Sequence, residues 1–201
     1  MDKERFEKQL AFILEADKEK NILRQTHITG YVRRENDAEH AWHMAMMIYL
    51  LKEYSNEEFD VAKAMMMALI HDIVEIDAGD TYAYDTVALE TQKEREERAA
   101  ERIYGLLPDD QRDELRALFD EFEAGKTPEA RFAKTMDNFQ PLLLNDSNGG
   151  ATTSPEMPTE PVDNGCGGCG GSSAKGSEPM LFGGALTAIL ARHGGGRQTL
   201  R

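Results

Sequence analysis

Residues 65–80 read MMMALIHDIVEIDAGD, a stretch that sets a histidine and an aspartate side by side in an otherwise apolar run. The apolar spacing predicts a buried helix that is capped by Asp60 and continues to about Ile76. Burying an unpaired carboxylate is costly, so His71 and Asp72 must be compensated. A divalent cation would compensate both, because imidazole and carboxylate groups suit Zn, Mn, Fe or Co. Hydrogen bonds to other side chains at a helix end are the alternative.

Apolar residues recur at helical spacing along most of the remaining chain before Asn145. They predict five further helices: near 3–19, from a cap at Asp37 through Leu51, near 87–104, from Pro108 to Gly125, and from a cap at Thr127. No alternating run of β-branched residues accompanies them. The expected fold class is therefore all-α.

The composition changes after Asn145. The last 56 residues hold 13 of the 17 glycines, four of the seven prolines and both cysteines. We expect residues 1–145 to form one helical domain and residues 146–201 to be a low-complexity tail, either disordered or read out of frame. Cys166 and Cys169 have the spacing of a metal or redox pair, but no second pair accompanies them, so no site is expected there.

The charge balance excludes some classes of protein. The 201 residues carry 23 lysines and arginines against 37 aspartates and glutamates, a formal charge of −14. Binding a nucleic-acid backbone needs clustered basic residues, so we expect no nucleic-acid partner. No apolar run approaches the roughly 18 residues of a membrane span, and the charged N-terminus lacks the apolar core of a signal peptide. We expect no membrane association and a cytoplasmic location.

Further acidic and imidazole groups surround the pair in a pattern that suits a metal site. Glu75 lies four residues after His71 and three after Asp72, which places it on the same helix flank. His40 opens a helix whose next turns are apolar, so its side chain is expected to point inward. Asp137 also lies on a mostly apolar face. Together these residues favour the metal-binding interpretation.

The order His40, His71-Asp72, Asp137 resembles the H…HD…D signature of the HD-domain metal-dependent phosphohydrolases. Residues 33–42, RRENDAEHAW, and residues 71–80 resemble the segments R-x-E-x-x-x-E-H-S/A and H-D-x-x-E-x-x-x-G-D of a narrower group. That group comprises the HD-domain 5′-deoxynucleotidases and their uncharacterised bacterial relatives. The resemblance covers about residues 5–145 and implies an HD-domain helical bundle.

The resemblance also implies a role for individual residues. His40, His71, Asp72 and Asp137 would ligate one divalent metal ion, which could be Mn, Co, Zn, Fe or Mg. Glu75 would orient or deprotonate the attacking water, and Asp80 would lie near the substrate sugar. Arg24 would bind the phosphate; Arg33 is a second candidate for substrate binding or could hold a carboxylate near the site. A second metal could draw only on His27 and His43, so we favour one.

These residues predict a metal-dependent phosphomonoesterase that acts on nucleoside 5′-monophosphates, with deoxyribonucleotides foremost. One alternative is a related phosphohydrolase or phosphodiesterase with another small phosphorylated substrate. Another is a non-catalytic nucleotide-binding module that keeps metal for stability. The resemblance further suggests a homodimer.

Overall fold

A computed structural model describes residues 2–79 and 86–150, with side chains described for residues 2–79 and 92–150. Within these residues the chain forms seven α-helices and a two-stranded sheet, so the expected helical class is confirmed. The elements are α1 (Lys3–Ala16), β1 (Leu23–His27), β2 (Arg34–Asn36), α2 (Asp37–Leu51), α3 (Val61–Ile70), α4 (Glu75–Ala78), α5 (Thr86–Tyr104), α6 (Asp109–Ala124) and α7 (Pro128–Ser147). Short 3₁₀ helices lie at Asp17–Asn21, Lys52–Tyr54 and His71–Val74.

Helices α2, α3 and α7 pack against one another and form the centre of the described fold. Their buried faces carry large apolar side chains that are fully excluded from solvent, among them Met44, Ile48, Met67, Phe132 and Met136. Each such side chain stabilises the fold by about 1.5–3 kcal/mol relative to an exposed position. The polar residues that these helices also bury are thereby held in fixed positions.

The helix predicted to continue to Ile76 is interrupted. Helix α3 ends at Ile70, the 3₁₀ turn His71–Val74 follows, and α4 begins at Glu75. A 3₁₀ turn has 3.0 residues per turn rather than 3.6, so side chains after Ile70 are rotated away from their positions in a continuous α-helix. The His-Asp pair therefore lies on a tight buried turn rather than in a helix interior.

A second apolar cluster holds this turn from the other side. Ile73 and Val74, the second half of the turn, are buried with Ile103 and Tyr104 of α5 and with Phe119 of α6. The Tyr104 hydroxyl donates a hydrogen bond to the carbonyl of Ile70, at 3.1 Å, where α3 ends. The turn is thus fixed between two hydrophobic clusters.

The start of α2 differs from the prediction. Asp37 was expected to cap the helix, but Asn36 is the cap. Its side-chain oxygen accepts a hydrogen bond from the Glu39 backbone amide at 2.9 Å, and the Glu39 carboxylate accepts one from the Asn36 backbone amide. Reciprocal bonding of this kind is a capping box. Asp37 is instead the first residue of the helix and is fully buried. It is therefore available for interactions within the protein.

The small sheet was not predicted. Strands β1 and β2 are antiparallel, pairing Leu23 with Asn36 and His27 with Arg34, with an irregularity between these pairs. Their sequences, LRQTH and REN, are short and polar and show no apolar alternation. The hairpin loop is tied to the end of α7, where Asn148 accepts from the Gly30 amide at 2.9 Å.

The boundary predicted after Asn145 falls inside α7, which continues to Ser147, and Asn148 still contacts the hairpin. Residues 151–201, including Cys166 and Cys169, lie outside the described part of the chain. Among the described helices, none combines the length and apolar character that crossing a bilayer requires.

Candidate metal centre

Three separate elements bring the four predicted metal ligands together. His40 comes from the first turn of α2, His71 and Asp72 from the 3₁₀ turn, and Asp137 from α7. His40 Nε2 lies 3.1 Å from Asp137 Oδ1, and His71 Nε2 lies 3.0 Å from Asp72 Oδ1 and 3.9 Å from Asp137 Oδ1. His40, His71 and Asp72 each offer a ligand atom within 4.8 Å of the others, and all three are buried.

His71 is oriented as a metal ligand would be. Its Nδ1 atom lies 2.9 Å from the carbonyl oxygen of Ala68, which can only accept, so Nδ1 carries the proton. In the neutral ring the lone pair is then on Nε2, which is buried and faces the carboxylates, 3.0 Å from Asp72 Oδ1. Fixing one ring nitrogen by a backbone carbonyl is typical of metal-bound histidines. The side chains present therefore fit a divalent cation.

The electrostatics of the cluster favour added positive charge. Burial disfavours the ionised form of Asp72, but the charges of His71 and Arg24 outweigh it and hold the pKa of Asp72 below its ordinary value. Burial likewise opposes a charge on His71, yet Asp72 and Asp137 raise the pKa of His71. The carboxylates thus stabilise a cation at the position of the His71 ring, and a metal ion could take the place of that proton.

Arg24 lies at the edge of this cluster, on strand β1. Its Nη1 atom donates to Asp72 Oδ2 at 2.6 Å and lies 3.4 Å from Asp37 Oδ1. Burial opposes its charge, but Asp72, Asp37 and Glu75 raise the pKa of Arg24 above its usual range. The arginine predicted to bind phosphate is therefore next to the ligands and stays charged.

Arg33 is not brought to the cluster. Its guanidinium is exposed and donates two hydrogen bonds to the carboxylate of Glu39, from Nη1 to Oε2 at 2.7 Å and from Nη2 to Oε1 at 2.5 Å. The sequence left open whether Arg33 binds substrate or holds a carboxylate near the site. The geometry favours the second role, since Glu39 precedes the candidate ligand His40.

Glu75 is the first residue of α4 and is half-buried. Its charge is one of those that raise the pKa of Arg24. Asp80, the residue predicted near the substrate sugar, lies outside the described residues.

The two remaining candidate histidines contact other side chains. The ring of His27 stacks on the ring of Tyr31, with centroids 4.0 Å apart, and His43 Nδ1 lies 3.2 Å from Gln140 Nε2.

Several polar residues around the cluster are buried although the sequence did not predict it. Glu35 of β2 is only 2% exposed, and its Oε1 atom accepts from Gln140 Nε2 at 2.6 Å. Burial raises the pKa of Glu35 to about 7. Glu35 lies in a run of five polar residues, 33–37, that resembles a surface segment. Its place in the R-x-E segment was the only available signal.

Glu19, in the 3₁₀ helix Asp17–Asn21, is a second buried carboxyl near the cluster. It is 6% exposed, and its Oε1 atom has no hydrogen-bond partner among the described residues. Burial, followed by the charges of Asp72 and Asp37, raises the pKa of Glu19 to about 8. The charged segment 17–20, DKEK, gave no sign that one of its members points inward.

Known proteins resemble this chain in sequence and in fold. A family model described as HD domain matches residues 16–162. The human protein named 5′-deoxynucleotidase HDDC2 is 32% identical over 126 residues, covering 60% of this chain and 60% of its own. The Schizosaccharomyces pombe protein named 5′-deoxynucleotidase hdd1 is 30% identical over 128 residues, covering 59% of this chain and 63% of its own. The chain thus spans about 60% of the length of the curated relatives that it matches.

A crystal structure of a predicted metal-dependent phosphohydrolase from Magnetospirillum magnetotacticum MS-1 is similar to this fold. The TM-score is 0.71 and the sequences are 51% identical, with 75% of this chain and 76% of that chain covered. The similarity therefore extends to most of both chains.

Replacing Glu19 by Gln should stabilise the protein at alkaline pH. Between pH 4.5 and about 8 the unfolded chain releases a proton that folded Glu19 retains, so its contribution to stability is lost as the pH rises through this window. The neutral amide removes that loss. Urea unfolding should show a free energy of unfolding about 2–4 kcal/mol above wild type at pH 8.5, and little difference at pH 4.5.

The matched control is Glu15→Gln in the preceding turn. Hydrogen bonds from Lys18 and Arg102 lower the pKa of Glu15, so its amide should weaken the fold at pH 8.5 instead. A Glu19→Gln difference that is the same at both pH values would contradict the buried, protonated state of Glu19.

Proposed function

The chain belongs to the HD-domain family, and from this we propose that it is a metal-dependent phosphohydrolase that releases phosphate from nucleoside 5′-monophosphates, with deoxyribonucleotides foremost. The observation that carries the proposal is the cluster of buried His40, His71 and Asp72, with Asp137 3.1 Å from His40 and the charged Arg24 at its edge. The names of the relatives support the substrate class. A cytoplasmic location and a homodimer are part of the same proposal.

We propose that His40, His71, Asp72 and Asp137 hold one divalent cation. Two imidazoles and two carboxylates suit Mn, Co, Zn or Fe, and the carboxylates also suit Mg. Burial lowers the pKa of His40, so its ring stays neutral, as a ligand must be. Burial opposes the charge of Asp137, but its contact with the His40 ring and the charge of His71 outweigh burial and lower the pKa of Asp137, so this carboxylate stays ionised.

Such a cation supplies Lewis acidity toward a phosphoryl oxygen and lowers the pKa of water from 15.7 toward about 7 in favourable cases. Arg24 binds a second phosphoryl oxygen, because its guanidinium is already directed at the cluster. Glu75 accepts a proton from the attacking water. The oxygen of that water forms a bond to phosphorus as the bond between phosphorus and the nucleoside 5′-oxygen breaks. The leaving oxygen takes a proton from solvent water, and Glu75 returns its own proton to solvent.

The direct test is phosphate release from a panel of nucleoside 5′-monophosphates, run on the chelator-treated protein and again after adding Mn, Co, Zn or Mg. The proposal requires activity that chelation removes and metal restores, with higher kcat/KM for deoxyribonucleotides. Release from other phosphate esters alone would favour a different substrate within the family. Metal-dependent thermal stability without release from any substrate would identify a non-catalytic module.

Glu75→Gln should reduce kcat by about 10²–10⁴-fold, because the amide keeps the size of the side chain but cannot accept the proton. Metal content, measured by elemental analysis, should stay at the wild-type level. His71→Ala is the contrasting variant: it removes a proposed ligand and should lose the metal itself. Retention of more than about half of the wild-type kcat by Glu75→Gln would contradict its role as the base.

Arg24→Lys should raise KM for the nucleotide by roughly tenfold or more, since an ammonium keeps the charge beside Asp72 but loses the planar two-point contact with phosphate. Lysine is preferred to alanine here, because alanine would leave Asp72 and Asp37 without their cation. The same substitution at Arg33 separates the two arginines. A larger rise in KM for Arg33→Lys than for Arg24→Lys would assign the phosphate contact to Arg33.

A further inference from the structure

The two nitrogens of the His40 ring face different carboxylates on opposite sides of the ring. Nε2 points at the proposed ligands, 3.1 Å from Asp137 Oδ1 and 4.0 Å from Asp72 Oδ2. Nδ1 points the other way, with Glu35 Oε2 at 3.8 Å. Ligation through Nε2 requires its lone pair, so the one proton of the neutral ring must then lie on Nδ1. The group that faces Nδ1 therefore decides how well His40 can serve as a ligand.

His40 Nδ1 and Glu35 Oε2 are both buried, and neither has a hydrogen-bond partner among the described residues. His40 is fully excluded from solvent and Glu35 is 2% exposed, so water gives these atoms little compensation. Leaving a buried donor or acceptor unpaired destabilises the folded state. A bond between Nδ1–H and Oε2 would satisfy both atoms and needs less than 1 Å of approach from their present separation.

The other oxygen of Glu35 is held in place. Gln140 Nε2 donates to Oε1 at 2.6 Å, and Gln140 is itself fully buried on α7, one turn after Asp137. An NH₂ group donates and does not accept, so Gln140 requires an acceptor at Glu35. A carboxylate can accept from Gln140 and from His40 at once. A glutamine at position 35 would place an NH₂ group at one of these two oxygen positions, so either Gln140 or His40 would face another donor.

We propose that Glu35 is a positioning residue for the metal centre: it accepts the Nδ1 proton of His40 and so presents the Nε2 lone pair to the cation. Helix α7 then supports His40 twice, through Asp137 at Nε2 and through Gln140 and Glu35 behind Nδ1. The inference rests on the metal ligation proposed above. Partners of this kind typically change metal affinity by 10- to 100-fold when they are removed.

The test measures Co²⁺ affinity of Glu35→Gln by competition with a chelator. We expect a 10- to 100-fold loss. The matched control is Glu57→Gln, which also removes a carboxylate bonded to α7, in this case through the exposed Arg131 at 2.7 Å. That control should bind Co²⁺ as tightly as wild type. Glu35→Gln affinity within twofold of wild type would overturn the proposal.

Proton NMR of the Co²⁺-loaded proteins gives a second readout that a general loss of stability would not imitate. Wild type should show two shifted ring N–H signals that exchange slowly with solvent, one from His40 and one from His71, whose Nδ1 is bonded to Ala68. In Glu35→Gln the His40 signal should exchange faster, while the His71 signal stays as an internal reference. Two equally protected signals in the variant would contradict the proposal.

If Glu35→Gln does not fold, the wild-type spectrum still decides, because the proposal requires a protected His40 signal there. The outcomes also separate the two proposals. Tight Co²⁺ binding with a protected His40 signal but no nucleotide hydrolysis would contradict the proposed function and leave the role of Glu35 intact. Hydrolysis with unchanged Co²⁺ affinity in Glu35→Gln would do the reverse.

Discussion

The burial of Asp72 on a turn between two hydrophobic clusters is the constraint around which the described fold is arranged. A carboxylate in that position cannot stay ionised without cations and hydrogen-bond donors, because desolvation penalises its charge. Strand β1 brings Arg24 to one oxygen, and the ring of His71 lies beside the other. Helices α2 and α7 then add His40 and Asp137. The turn, α2 and α7 also bury apolar side chains in the core, so the core and the site fix one another.

The elements with strong apolar periodicity were predictable from the sequence. Helices α6 and α7 begin and end close to where Pro108, Gly125 and Thr127 placed them, since these residues act through local backbone chemistry. The 3₁₀ turn and the sheet were not predictable. The turn is held by tertiary contacts around Ile73 and Val74, and the strands carry no apolar alternation. The residue pattern therefore predicted the helices, but it did not predict the turn and the sheet, where tertiary packing overrides local preference.

The same distinction applies to the site. Imidazole and carboxylate side chains in apolar segments drew attention to the four candidate ligands, and the resemblance to the HD-domain phosphohydrolases implied that they form one set. Glu35, Glu19 and Asp37 lie in charged stretches, where the ordinary expectation is exposure to water. Only the packing of β2, of the first 3₁₀ helix and of α2 shows that these three side chains point inward. The residues that surround a polar site are thus harder to read from a sequence than the residues that form it.

The charge distribution also bears on the order in which the site can be filled. Asp37, Asp72, Glu75 and Asp137 all act electrostatically on Arg24, the one arginine found among them in the part of the chain that the structure describes. A phosphate dianion that approaches this region meets more negative than positive charge, so Arg24 alone cannot offset the repulsion. A divalent cation held by His40, His71, Asp72 and Asp137 would reverse the balance. It would also relieve Asp72 of its dependence on Arg24 and free the guanidinium to bind phosphate. Under the proposed function the cation would therefore be needed for substrate binding as well as for the reaction, because the carboxylates that attract it would repel phosphate in its absence.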